Sequence, residues 1–269
     1  MENNVIINGS TPIEGMPIDP AILDGGNTKL GESIGTFSKL KGNRVYWVPE
    51  YEMAIRGSCG KFCESCDGDC YVEKSYVRYT NRETGECSVI KGHAKNTYAF
   101  YVDIDESFKI LDQKLTRKRK KFIYVRIDQS GEMISEREVA GWAWLAERHP
   151  ETTFYVYTKA FEYVLNMLLA GRIPLTMIIL FSVWHEYGIK EYKLVAHLPN
   201  VKAFVYCDKN KHPDTGWGTE EYEAHGLIVQ TFCPAYDGKG KMNHDMPCEK
   251  CQKCMNKLKS CKIIGCWDH

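Results

Sequence analysis

The stretch YVRIDQSGEMISEREVAGWAWLAERHPETTFYVYTK, Tyr124–Lys159, reads as strand, turn, helix and strand. Its ends belong to β-branched and aromatic runs at Phe122–Ile127 and Thr153–Thr158, of the kind that fit a pleated sheet. Between them Val139, Trp142, Ala143 and Ala146 recur at helical spacing, opened by Ser135 with Glu138 three residues on, a capping box. Working outward, similar runs recur at Arg44–Val48, Met177–Val183, Lys202–Cys207 and Leu227–Phe232, and "TMIILFSV" is apolar enough for a parallel strand covered on both faces. The intervening segments carry further helix patterns. Phe108, Leu111 and Leu115 share one face. Phe161, Val164, Leu165 and Leu168 form another stripe, which Gly171 ends. Thr219 opens a short helix as its N-cap and Gly226 stops it. The spacing predicts an α/β fold of six βα units, a partial (β/α)6 barrel, with a doubly wound sheet as the competing topology. Residues 1–40 read as an irregular arm, 41–235 as the barrel and 236–269 as a cysteine-rich module.

Composition narrows the function. The 269 residues carry 35 basic and 35 acidic side chains, so overall charge gives no reason to bind nucleic acid or a membrane. The basic run Arg117–Lys121 reads first as a solvated helix C-terminus favoured by the macrodipole, and second as a nucleic-acid contact. No stretch approaches the roughly 18 consecutive apolar residues of a spanning helix, and the N-terminus lacks a signal pattern, so a cytoplasmic protein without membrane contact is expected. Twelve cysteines in a reducing compartment point to metal binding rather than disulfides.

Four of those cysteines, Cys59, Cys63, Cys66 and Cys70, fall in "SCGKFCESCDGDCYVEK". Cys59-x3-Cys63-x2-Cys66 is the radical SAM spacing. There three thiolates hold three irons of a [4Fe–4S] cluster, and the fourth iron is open to S-adenosylmethionine. This makes the expected barrel one of radical SAM type. Cys70 offers a fourth thiolate that closes the site. After the next strand, Ser130-Gly131-Glu132 resembles the Gly-Gly-Glu turn that holds the ammonium of the methionine moiety; its plain reading is a strand-to-helix turn. Ser182, at the end of a later strand, is a candidate for a ribose hydroxyl, or simply structural.

The C-terminus carries a second constellation. Cys248, Cys251 and Cys254 stand at x2 spacings, a ferredoxin-like ligand run, with Cys233 as the candidate fourth ligand and Cys261 and Cys266 as alternatives or parts of a further site. Structural zinc fits four thiolates as well. Cys207, after the fifth strand, reads equally as a ligand or a buried thiol. Tyr157 and Lys159 share a strand face that lines the barrel, and His185 and His197 read as turn or helix histidines.

The segments "GNTKLG" (Gly26–Gly31), the cysteine loop and Tyr124–Lys159 together resemble the phage-encoded gene product 88 family, over roughly Gly26 to Ala160. The resemblance implies that Cys59, Cys66 and Cys70 are the core triplet, followed by Tyr71 and Lys74, with Cys63 an additional residue. It also implies a phage or prophage origin in a bacterial host and an iron–sulfur, radical-SAM-like architecture, and it supplies no substrate.

The expectation is therefore an iron–sulfur protein with one or two [4Fe–4S] clusters, reductively cleaving S-adenosylmethionine to a 5′-deoxyadenosyl radical that acts on an unidentified substrate. An electron donor such as ferredoxin or flavodoxin would serve it. The rivals are an electron-transfer protein with fully ligated clusters, and a zinc-stabilised nucleic-acid-binding phage protein.

Overall fold

The computed structural model describes residues 5–24, 33–62, 76–84, 86–207, 217–234, 246–256 and 261–267. Cys63, Cys66, Cys70, Tyr71, Lys74 and the Gly26–Gly31 segment lie outside the described residues. In chain order the strands are β1 (Val5–Ile6), β2 (Leu23–Asp24), β3 (Ile34–Thr36), β4 (Val45–Val48), β5 (Met53–Arg56), β6 (Tyr124–Ile127), β7 (Thr153–Thr158), β8 (Met177–Val183), β9 (Val201–Cys207), β10 (Thr231–Phe232) and β11 (Ile263–Trp267). The helices are α1 (Ser88–Val102), α2 (Ile104–Arg117), α3 (Glu136–Arg148), α4 (Phe161–Leu169), α5 (Ile189–Val195), α6 (Thr219–Ala224) and the one-turn α7 (Cys248–Cys251).

Eight strands form the main sheet in the order β10-β11-β9-β8-β7-β6-β3-β2. Seven of them run parallel, and β2 is antiparallel to β3. From β3 to β9 the order follows the chain in one direction, without the reversal that a doubly wound sheet requires. The fold is thus mixed α/β with a large parallel sheet. The strands expected at Thr153–Thr158 and Met177–Val183 form with those bounds. The one expected at Arg44–Val48 also forms, yet β4 pairs antiparallel with β5 in a separate sheet of order β1-β5-β4. The main sheet instead begins at β3, three residues with Gly35 at their centre, too short to announce itself. Residues 263–267 contribute β11 to the main sheet, between β9 and β10.

Side-chain alternation divides the sheet into two faces. Val125, Ile127, Phe154, Val156, Met177, Ile179, Phe181, Val183, Val201, Ala203 and Val205 point to the helices and form the larger core with α1–α6. Trp142 of α3 is fully buried there, edge-on to Phe37 at 4.9 Å and to Phe108 of α2 at 5.2 Å. The other face carries Ile34, Tyr124, Tyr155, Tyr157, Ile178, Leu180, Phe204 and Ile264. Among the described residues no long helix covers it; Cys248, Cys254, Met255 and Cys261 of the C-terminal segment pack on it.

Local signals act as their chemistry dictates. Ser135 caps α3, its Oγ accepting from the Glu138 N–H at 3.2 Å. The other half of the expected capping box does not form, because the Glu138 carboxylate is drawn to Lys39, to the Ile134 N–H at 2.9 Å and to the Trp142 indole at 3.1 Å. Gly218, not Thr219, caps α6, with Glu221 accepting from its N–H at 2.7 Å. Gly171 and Gly226, both at positive φ, follow the ends of α4 and α6. At the basic run, the Lys121 ammonium donates to the Leu115 and Thr116 carbonyls at 2.7 and 2.9 Å, capping the C-terminus of α2.

Candidate functional site

β5 delivers the chain to Gly57, Ser58 and Cys59. Gly57 is required there, since a Cβ would run into the Lys41 and Gly42 carbonyls. The Ser58 N–H donates to the Leu40 carbonyl at 2.7 Å and the Cys59 N–H to the Gly42 carbonyl at 3.0 Å. The half-buried Cys59 sulfur accepts from the Gly42 N–H at 3.1 Å. Burial pushes the hydroxyls of Tyr76 and Tyr101 upward, and the Cys59 sulfur adds to the shift in both. Tyr101 donates to the Gly57 carbonyl at 3.0 Å, and the Tyr76 hydroxyl lies 2.8 Å from Nδ1 of His93. The surroundings of His93 push its imidazole down to about 4.

The Ser130-Gly131-Glu132 turn lies against this loop. The Glu132 N–H donates to Ser58 Oγ at 3.2 Å, and a Cβ on Gly131 (φ 88°) would collide with that oxygen. The glycine therefore admits Ser58. The Glu132 carboxylate is buried and accepts from Thr158 Oγ1 at 2.6 Å, the Lys159 N–H at 2.7 Å and the Met133 N–H at 2.9 Å. It ties the end of β6 to the end of β7. Burial raises its pKa, and these donors oppose the rise. Ser182 stands half-buried on β8 opposite Phe204.

Beneath the turn lies a buried charge cluster that sequence reading missed. Lys39 Nζ is 2.5 Å from the Glu138 carboxylate and 3.3 Å from Asp128. Burial alone would lower the Lys39 pKa; the two carboxylates outweigh it and hold it up. Asp128, at φ 48°, is pushed well above the usual carboxylate range by burial, with Glu138 and Glu132 adding to the rise against Lys39. Lys39 thus faces two carboxylates, Glu138 closer than Asp128, and burial disfavours the charged form of Asp128.

The C-terminal thiols occupy the other face of the sheet. Burial pushes Cys254 up to about 12; the nearby Tyr157 hydroxyl opposes the rise, and the sulfurs of Cys233, Cys248 and Cys251 add to it. Those four sulfurs therefore share one electrostatic neighbourhood, although among the described residues no three His, Cys, Asp or Glu side chains converge closely enough to hold a metal ion. The segment is pinned from below by fully buried Lys202, whose ammonium donates to the Lys253 and Asn256 carbonyls at 2.5 and 2.9 Å. Lys253 donates to Thr231 Oγ1 at 2.5 Å, beside Cys233. Cys261 packs nearby with its sulfur 3.8 Å from the Lys253 carbonyl, and Cys266 is buried on β11 opposite Tyr206. Cys207 faces the helices, where burial pushes its thiol up to about 12, so it is a core thiol. None of the nine described cysteines is in a disulfide.

The structure sets the Cys59 loop, through Ser58, against Gly131 and Glu132, and packs Cys248 and Cys254 on the other face of the sheet with Cys233 and Cys251 electrostatically near Cys254. It adds Arg126, Tyr155, Tyr157 and Lys202 to the second group. A signal for these existed, because Arg126 and Lys202 interrupt otherwise apolar strand runs.

No described helix is long and apolar enough to cross a membrane. Comparison with curated proteins and with solved structures finds no match. The family model for gene product 88 matches residues 21–262, from β2 through the cysteine loop to the last thiol before β11. The chain belongs to the gene product 88 family.

Proposed function

We propose that the chain is an iron–sulfur protein whose singly wound parallel sheet is a partial (β/α) barrel of radical SAM type. One thiolate site lies at the Cys59 loop and a second at the C-terminal segment. The observation that carries the reading is the packing of Cys248 and Cys254 against Tyr155 and Tyr157, with the sulfurs of Cys233 and Cys251 near enough to act electrostatically on Cys254. Four soft thiolates suit iron–sulfur or zinc, and the Cys-x2-Cys-x2-Cys run favours the former. At the other site Cys59 is the described ligand candidate, with Cys63, Cys66 and Cys70 as its sequence companions.

With Cys59 and its sequence companions as the thiolates that would hold it, a cluster with an open iron would supply the electron for reductive cleavage of S-adenosylmethionine. The chain's own contribution is positional. Ser58 locks the cysteine loop to the Ser130–Glu132 turn, and Glu132 locks that turn to β7. One observation favours a second reading, an electron-transfer protein with fully ligated clusters: the Glu132 carboxylate that would hold a ligand ammonium already accepts three donors from the protein.

Anaerobic purification with iron, sulfide and zinc quantification, followed by EPR of the reduced protein with and without S-adenosylmethionine, tests the proposal. About eight irons per chain and a spectrum that shifts with S-adenosylmethionine support two clusters, one open. Iron with an unmoved spectrum supports the electron-transfer reading. Zinc without iron overturns both.

A further inference from the structure

Tyr155 is 1% exposed, and its hydroxyl is buried without a hydrogen-bond partner among the described residues. Leaving such a group unpaired in a dry interior is costly, so the site asks for an acceptor. Its neighbours show where the acceptor belongs. Tyr155 and Tyr157 stand two residues apart on the same face of β7, packed against the segment that carries Cys248 and Cys254. Both hydroxyls lie near enough to those two sulfurs to feel their charge. Arg126 lies over the Tyr157 ring at 4.8 Å, bringing a positive charge beneath the pair.

We infer that Tyr155 and Tyr157 form a hydrogen-bonding shelf for the thiolate-bound group held by Cys248 and Cys254, donating O–H to its sulfurs and setting its reduction potential. The inference rests on the iron–sulfur reading of the C-terminal site. Donors to cluster and thiolate sulfur stabilise the more negative, reduced state, so the shelf raises the potential, and the guanidinium of Arg126 acts in the same direction. Neither tyrosine is a ligand; both are positioning residues. Tyr157 acts on Cys254 directly, and Tyr155 gains in the loaded site the acceptor it otherwise lacks.

The test uses the full-length chain with Tyr155→Phe, Tyr157→Phe and the double substitution, which keep the rings and remove only the oxygens. Each is built in a Cys59→Ser background, purified anaerobically, and titrated through its midpoint potential by EPR. The expected result is undiminished iron and sulfide with a more negative midpoint in each variant. A tenfold loss of reduced cluster at fixed ambient potential corresponds to about 59 mV for one electron. Tyr192→Phe, which alters the helix side of the sheet, is expected to leave the midpoint in place. Retained iron with an unmoved midpoint in the double variant overturns the inference alone. A parent protein holding no iron–sulfur cluster overturns the iron–sulfur reading, and the inference with it.

Discussion

Lys39 is fully buried between two carboxylates, and one positive charge there can balance only one negative. Burial favours the neutral form of Asp128, and Glu138 lies closer to the ammonium, so two substitutions are expected to behave differently. Asp128→Asn mimics the neutral acid and is expected to change unfolding free energy by less than about 1 kcal/mol. Glu138→Gln strips Lys39 of its counter-charge and is expected to cost about 3–5 kcal/mol, both read from urea unfolding. Equal losses would refute this asymmetry. A carboxyl raised in the fold contributes stability that is full below its unfolded value and shrinks as pH rises, and Asp128→Asn should flatten that decline. His93 acts oppositely. Its folded value of about 4 lies below the unfolded value, so its contribution is full above about 6.5 and is lost as pH falls toward 4, at up to roughly 1.4 kcal/mol per pH unit. Unfolding measured across that window should be less steep in His93→Gln; an unchanged slope would dismiss the role. None of these groups was legible in the sequence. Lys39 lies in a loop without periodicity, and nothing local distinguishes a buried lysine from a solvated one.

Among the elements, α2 and α3 meet where Gly141 faces the Phe108 ring, with no room for a methyl group. Gly141→Ala gains about 1 kcal/mol of helix propensity but overpacks the contact at a cost of about 1–3 kcal/mol. The net effect on thermal unfolding should be destabilising, with partial recovery when Phe108→Leu is added; a rise in melting temperature would contradict it. Helices and central strands were legible here because their apolar periodicity is long. β7 and β8 are runs of β-branched and aromatic residues, the stripes of α2 and α3 are buried as their spacing requires, and that of α4 is buried except at Leu165, which is half-buried while Met167 is buried in the core. β3 escaped because three residues carry no period. β4 was legible as a strand, but its own alternation could not tell which sheet it would join.

For the molecule as a whole, the cysteine spacing was legible and its location was not. Nothing in "CEKCQKC" says that it folds back over the face of the sheet that carries Tyr155 and Tyr157, because that placement is decided by distant residues such as Lys202. Lys202→Met removes the donors to the Lys253 and Asn256 carbonyls and is expected to destabilise the protein by about 1–3 kcal/mol. Trypsin should then cut faster at Lys250 and Lys253, and cleavage at the parental rate would show that the pinning is incidental. The strand order carries a consequence for synthesis. β9 and β10 are translated before β11, yet in the finished sheet each borders β11 rather than the other. Until residues 263–267 emerge, β9 presents an open edge to other nascent chains and β10 has nothing to pair with. Chains interrupted before that point should therefore meet the cell's chaperones and proteases with their sheet unfinished.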